Sequence, residues 1–160
     1  CSQHEYFWLT YREVIRRGAE MMLPIWEASN GKYGYISGQL DPRLITETEK
    51  MIAMAQEIRA ISPNVMIKVP ASTQGVDVVR ALSSMAIPTN VTTCFTLPQI
   101  WAVANAAREG VEIANKNKVD MSKWRAVITM MIGRLTEHPI LDQQAARRGM
   151  TCASRFRSST

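Results

Sequence analysis

The sequence has few of the side chains that hold metal ions or disulfide frameworks. Its three cysteines, Cys1, Cys94 and Cys152, are odd in number and lack the spacing of a zinc site. Its two histidines, His4 and His138, are not spaced as ligands of one metal ion. We therefore expect a reduced, cytoplasmic protein without a metal site.

Long apolar runs are also missing. No run approaches the roughly 20 residues of a membrane-spanning helix, and the first residues do not form the charged, apolar and cleavable regions of a signal peptide. The chain begins at Cys1 rather than Met, so we expect a fragment of a longer reading frame. With 46% hydrophobic and 21% charged residues, the composition indicates a globular domain.

A strong charge excess is absent from most of the chain. The formal net charge is +5, but four arginines near the end of the chain account for most of it. These arginines are Arg147, Arg148, Arg155 and Arg157. The remainder has no basic stripe interleaved with aromatic residues, so no nucleic-acid partner is predicted. The absence of long apolar runs likewise predicts no membrane partner.

What the sequence does contain is an alternation of short apolar runs and amphipathic segments. The apolar runs predict strands over residues 32–40, 65–69, 89–94 and 125–132. The first helix is predicted over residues 2–22, with Pro24 as its break. Capping-box pairs predict helix starts at Thr46 and Thr96, and Gly110 predicts the end of the second of these helices. A last helix is predicted over residues 137–148.

Strands that alternate with helices predict parallel βα units and an α/β fold. Successive predicted strands start roughly 25 to 35 residues apart, as in a barrel or a doubly wound sheet. No G-x-G-x-x-G or Walker loop follows a strand, which disfavours nucleotide-binding sheets. A closed barrel takes about 250 residues. We therefore predict a partial (β/α)8 TIM barrel of about four βα units over residues 1–149, with a separate tail at 150–160.

Polar side chains interrupt the predicted strands near their carboxyl ends. Because side chains alternate along a strand, Gln39, Lys68, Asn90, Thr92 and Thr129 converge if all four faces point inward. Barrel enzymes keep their active sites at the carboxyl ends of the strands. This convergence predicts a site.

Lys68 is the unusual residue of this set because it lies in the apolar run 65–69. Removing an ammonium from water is costly and favours the neutral amine. A neutral amine attacks carbonyl carbon and forms an iminium that stabilises an adjacent carbanion. The alternative interpretation is a lysine that extends from a strand end into solvent.

Four segments resemble motifs of the transaldolase family, in the same order along the chain. They are ISGQLDPR at 36–43, IKVPA at 67–71 followed by Gly75, NVTTCFT at 90–96 followed by Gln99, and TMMIGR at 129–134. The resemblance covers roughly residues 33–149. It implies a truncated member of the class I, Schiff-base-forming transaldolases, which act in the pentose phosphate pathway of carbohydrate metabolism.

The resemblance also implies a role for each residue. Lys68 would form a Schiff base with a ketose phosphate and hold a dihydroxyacetone unit for transfer, without a cofactor. Asn90 and Thr129 would bind the sugar, and Thr92 would position the water used in proton transfer. Arg134 would bind the substrate phosphate, which suits a guanidinium group.

Other interpretations remain open. Gln39 stands where transaldolases carry glutamate and related sugar-phosphate aldolases carry glutamine, and an amide cannot take a proton from water. A class I aldolase is therefore an alternative. Asn90 and Thr92 are alternatively buried polar groups that fix strand ends, and Arg134 an ion-pair partner of Glu137. A third possibility is an inactive product that self-associates through open sheet edges.

Overall fold

Four short apolar segments form the parallel strands of one sheet in the computed structural model, which describes residues 2–136 and 139–149. The strands are β1 (Ile36–Gln39), β2 (Val65–Pro70), β3 (Thr89–Cys94) and β4 (Ala126–Met130). Their order in the sheet is β1-β2-β3-β4, and each neighbouring pair is parallel. The predicted α/β fold of successive βα units, consistent with part of a TIM barrel, is confirmed.

Helices connect the strands and flank the sheet. They are α1 (Gln3–Ala28), α2 (Thr48–Arg59), α3 (Thr73–Ser84), α4 (Leu97–Lys116), α5 (Gly133–Thr136) and α6 (Pro139–Arg147). A single 3-10 turn, Pro42–Leu44, lies between β1 and α2. In the part of the chain that the structure describes, none of the helices has both the length and the apolar composition needed to cross a bilayer.

The hydrophobic core lies between the sheet and the helices. Alternating residues of β2, namely Val65, Ile67 and Val69, are fully buried on the helix side of the sheet. Met51, Ile58, Val79 and Leu82 of α2 and α3 are also fully buried in this core. Since each buried aliphatic side chain contributes about 1.5 to 3 kcal/mol, this layer fixes which face of each strand points away from the helices.

The prediction that Pro24 ends the first helix is wrong. α1 continues through Pro24 to Ala28, although a proline within a helix usually costs about 3 kcal/mol. Tertiary packing of the last turn explains the difference. Trp26 is buried, meets the Tyr35 ring edge-on at 6.4 Å, and has the Lys123 ammonium 4.5 Å from its ring centroid.

Two further helix boundaries differ from prediction. α2 begins at Thr48, with Glu47 as an N-cap that makes no side-chain capping bond, because the 3-10 turn occupies the preceding residues. α4 passes through Gly110 to Lys116, so this glycine does not end the helix. The predicted strand at 32–40 is shorter because the chain bends at residues 32–33 and Gly34, at φ 80°, is not extended, so the strand begins at Ile36.

Several sequence predictions concern parts of the chain outside the described residues. These are the tail at 150–160 with Cys152, Cys1, and the Glu137–His138 pair at the start of the last predicted helix. The boundary at residue 149 therefore stays a prediction.

Candidate active site

Three of the predicted site residues lie side by side across the face of the sheet that points away from the core. The register pairs Gln39 of β1 with Lys68 of β2, and Lys68 with Asn90 of β3. All three are half-buried. Because neighbouring parallel strands are about 4.8 Å apart, the amine has an amide side chain on each side.

Asn90 is the centre of a hydrogen-bond chain on this face. Its Nδ2 donates to the Ser37 hydroxyl of β1 at 3.1 Å, and its Oδ1 accepts from the Thr129 hydroxyl of β4 at 3.3 Å. The chain thus joins the outer strands across β2. These bonds fix the orientation of the Asn90 amide. Ser37 has the same strand-face signal as Gln39 but was not among the predicted site residues.

Lys68 is less enclosed than its apolar sequence neighbours predict. Ile67 and Val69 are fully buried because they face the helices, whereas Lys68 is half-buried on the opposite, open face. Among residues 2–136 and 139–149, no carboxylate forms an ion pair with its ammonium. Strand alternation therefore separates the amine from the core and leaves it accessible to a ligand.

Two hydrogen bonds hold Gln39 at the end of β1. Its backbone N–H, on the open edge of the sheet, donates to the Tyr11 hydroxyl of α1 at 2.6 Å. Its side-chain Nε2 donates to the Leu40 carbonyl at 3.1 Å. The contribution of Tyr11 has no signal in the sequence, since it depends on how α1 packs beside β1.

Thr92 lies two residues beyond Asn90, at a bulge in β3. The register with β4 shifts between Val91 and Cys94, and the intervening Thr93 has φ 59°. The Thr92 hydroxyl is 3.5 Å from Met131 Sδ, and the Thr93 N–H is 3.3 Å from the same sulfur. A bulge adds one residue and redirects side chains, so it sets the direction of the Thr92 hydroxyl.

Arg134 does not join this cluster in the structure. It lies on α5, after the carboxyl end of β4, and its side chain is exposed. Within the described portion of the chain, no hydrogen bond or ion pair links it to Lys68, Asn90 or Thr129. It lies at the predicted end of the sheet, and its role as a phosphate ligand stays a prediction.

Two grooves flank the carboxyl end of β1. The larger, of about 810 Å³, lies between α1 and α2, and the smaller, of about 270 Å³, contains Gln39 and Tyr11. Both contain Asp41, whose carboxylate accepts from Arg43 Nε at 3.0 Å and Nη2 at 2.6 Å. Hydrogen bonding from the Arg43 guanidinium lowers the pKa of Asp41.

Metal ligands do not cluster in the described residues, where no group of three or more His, Cys, Asp or Glu side chains surrounds a common point. Cys94 follows the bulge at the end of β3 and is fully buried as a free thiol. Burial raises the pKa of this thiol. It therefore resembles a core residue more than a reactive one.

Comparison with known proteins identifies one matching family and several similar relatives. The family model described as Transaldolase/Fructose-6-phosphate aldolase matches residues 3–157. Transaldolase 1 of Streptomyces avermitilis is 31% identical over 137 residues, which are 84% of this chain and 36% of that protein. The transaldolases of Mycobacterium ulcerans and Thermobifida fusca are 35% and 34% identical over 123 residues, which are 76% of this chain and 33% of each relative.

The chain thus spans about a third of the length of the curated relatives that it matches. The family match nevertheless includes all four strands, and with them Gln39, Lys68, Asn90, Thr92 and Thr129. The chain belongs to the transaldolase/fructose-6-phosphate aldolase family and is by ancestry a transferase enzyme.

Proposed function

We propose that this protein transfers a dihydroxyacetone unit between sugar phosphates through a Schiff base on Lys68. The observation that carries the proposal is the row of Gln39, Lys68 and Asn90 across three neighbouring strands, with the amine on the open face. Among the described residues no carboxylate forms an ion pair with this amine, so the nitrogen is open to a carbonyl substrate. It therefore suits attack on a carbonyl.

The proposed chemistry begins when the neutral Lys68 amine adds to the ketose carbonyl carbon. Loss of water gives an iminium, which withdraws electrons from the neighbouring carbon. The carbon–carbon bond beyond that carbon then breaks as a hydroxyl proton leaves, which releases an aldose phosphate. In the transferase, the three-carbon enamine stays on Lys68 until its carbon adds to an acceptor aldehyde, whose oxygen takes a proton. Water then hydrolyses the new iminium, which releases the product ketose and the free amine. In an aldolase the enamine is instead protonated and hydrolysed.

The remaining residues serve binding and proton transfer in this proposal. Asn90 and Thr129 bind the sugar hydroxyls, for which their fixed orientation is an advantage. Thr92 positions the water that carries the proton. Arg134 binds the phosphate of the substrate, and no metal ion or organic cofactor takes part.

A second candidate function is simple aldol cleavage by a class I sugar-phosphate aldolase. The favouring observation is Gln39, whose amide donates to the Leu40 carbonyl and cannot act as a base. Without a carboxylate beside Lys68 in the described residues, proton transfer falls to water at Thr92. We therefore expect slow turnover from this chain. A catalytically inactive protein is the third possibility.

The setting we propose is the cytoplasm, where sugar phosphates of the pentose phosphate pathway are the substrates. The support is chemical, since Cys94 is a free thiol rather than half of a disulfide. Self-association through the open sheet edges is also proposed, and its test is given in the Discussion.

Release of aldose phosphate from fructose 6-phosphate tests the function. In the absence of an acceptor, a transferase stops near one equivalent of glyceraldehyde 3-phosphate per chain, because the three-carbon unit stays on Lys68. An aldolase continues past one equivalent. Adding an acceptor aldose phosphate restarts the transferase only.

The controls are Lys68→Ala, expected to release no product, and Lys116→Ala, a change of an exposed lysine on α4 that is expected to match the unmodified chain. Equal release by the Lys68→Ala protein would contradict both candidate functions. If the folded, unmodified chain releases no aldose phosphate, the protein is catalytically inactive, which is the third possibility.

A further inference from the structure

One side chain connects the two loops that follow the strands of the candidate site. Gln99, in the first turn of α4, is half-buried and uses both ends of its amide. Its Oε1 accepts from the Phe95 N–H at 2.9 Å and the Thr96 N–H at 3.2 Å. Its Nε2 donates to the Ala71 carbonyl at 3.2 Å and the Thr93 carbonyl at 3.3 Å.

The loops that Gln99 joins begin close to the reactive residues. Ala71 directly follows β2, three residues after Lys68, and its N–H donates to the Thr92 carbonyl at 2.8 Å and to Thr93 Oγ1 at 3.2 Å. The Thr93 hydroxyl in turn donates to the Thr92 carbonyl at 2.6 Å. The carboxyl ends of β2 and β3 are therefore held together by one connected set of hydrogen bonds.

The backbone within this set is strained. Thr93 has φ 59°, a left-handed conformation that is rare for a β-branched residue. Such conformations persist only where surrounding contacts enforce them, and they concentrate at functional sites. The Gln99 amide supplies one of these contacts by binding the Thr93 carbonyl directly.

We propose that Gln99 is a positioning residue, which holds the Thr92–Thr93 bulge against the end of β2 and so sets the Thr92 hydroxyl relative to the Lys68 amine. This inference rests on the proposed Schiff-base function. Gln99 does not touch the reacting atoms. It acts through the backbone of residues 71 and 93.

A simpler role for Gln99 is that of a helix cap, since Thr96 and Gln99 form a capping box. The two roles use different atoms. Oε1 serves the cap, whereas Nε2 serves the loops after β2 and β3. Glutamate at this position keeps the capping acceptor but turns a carboxylate oxygen toward two carbonyls, so Gln99→Glu separates the roles.

The test measures the rate at which borohydride traps fructose 6-phosphate on the full chain, as a function of sugar concentration. For Gln99→Glu we expect the maximum rate to fall by about tenfold or more, since a displacement of about 1 Å can cost about 100-fold. The half-saturating concentration should stay within about twofold, because Asn90 still binds the sugar. Gln56→Glu, the same change at an exposed position of α2, should match the unmodified chain.

A maximum rate for Gln99→Glu equal to that of Gln56→Glu would overturn the inference while leaving the proposed function intact. If Gln99→Glu does not fold, Gln99→Met, which is neutral and similar in length, is compared with Thr96→Val, which removes only the capping hydroxyl. The maximum rate should fall for Gln99→Met and not for Thr96→Val, and equal rates of the two variants would overturn the inference.

Amide hydrogen exchange tests the inference without activity. The Ala71 N–H, which donates to Thr92, should exchange about tenfold faster in the Gln99 variants than in Gln56→Glu. Equal exchange would overturn the positioning role even if the unmodified chain traps no sugar. In that case the failure of trapping would count against the proposed function separately.

Discussion

At the scale of single residues, Asp41 is a buried carboxylate that pairs with a guanidinium near the candidate site. Its carboxylate is buried at the end of β1 and accepts from the backbone N–H and the guanidinium of Arg43. Hydrogen bonding to Arg43 lowers the pKa of Asp41, so folding favours the ionised carboxylate. A group with a lowered pKa stabilises the fold above its ordinary pKa and loses that effect as the pH falls through the folded value.

We therefore predict that Asp41→Asn lowers the free energy of unfolding by about 1 kcal/mol at pH 7, a modest value because Arg43 is exposed to solvent. Below about pH 3.9, the ordinary pKa of aspartate, the difference should shrink as Asp41 becomes protonated. Urea unfolding at pH 7 and pH 3 measures it. Asp77→Asn, at an exposed site on α3, is the matched control, and a difference that does not change with pH would contradict the prediction.

The residues of the candidate site were predictable only in part. Strand alternation predicts which residues share a face within each strand, and it brings Gln39, Lys68 and Asn90 together if these faces point inward. The hydrogen bonds that Tyr11 and Gln99 make to the site were not predictable from the sequence. They depend on contacts between elements distant in sequence, and a glutamine in a capping box gives no sign that its second end crosses to another loop.

At the scale of elements, Gly110 determines how closely α3 and α4 approach. A Cβ built at Gly110 would lie 2.5 Å from the Arg80 carbonyl oxygen and 2.5 Å from Ser83 Cβ. Glycine in a helix normally costs about 0.5 to 1 kcal/mol relative to alanine. The close contact between these two helices offsets that cost.

Gly110→Ala should therefore destabilise the protein by about 1 to 3 kcal/mol, as overpacking does, although alanine is the better helix former. Asn115→Ala, at an exposed position of the same helix, should change stability by less than about 0.5 kcal/mol. Denaturant unfolding of both variants checks this. A gain in stability for Gly110→Ala would contradict the packing argument.

Elements determined by local sequence were predicted correctly, and those determined by packing against other elements were not. The β3 strand occupies residues 89–94 as predicted, because a short branched run between Pro88 and the Thr96 cap leaves few alternatives. The end of α1 and the passage of α4 through Gly110 were predicted wrongly, because local propensity was overridden by Trp26 in one case and by α3 in the other.

At the scale of the whole molecule, the sheet has two lateral edges, and they differ. On the β1 edge the Gln39 N–H is already bound by Tyr11. On β4, Val127 is 44% and Met130 36% exposed, and β3 is its only partner strand among the described residues. An exposed, apolar strand edge favours pairing with another chain.

We therefore predict concentration-dependent self-association through β4. Val127→Lys places a charge at this edge and should weaken association about tenfold, which is about 1.4 kcal/mol. Gln56→Lys adds the same charge on the exposed face of α2 and should have little effect. Sedimentation velocity over a range of concentrations distinguishes them. A monomer at every concentration, or equal effects of both variants, would contradict the prediction.

The most direct measurement for the Schiff-base function is the location of the adduct after borohydride reduction with fructose 6-phosphate. Trypsin cleaves after Arg59 and Arg80, and Lys68 is the single lysine between them. A reduced adduct on Lys68 blocks cleavage there, so mass spectrometry should find residues 60–80 as one modified peptide. This peptide should be absent after Lys68→Arg. A folded protein in which Lys68 stays unmodified, or in which the adduct lies on another lysine, would contradict the proposed role of Lys68.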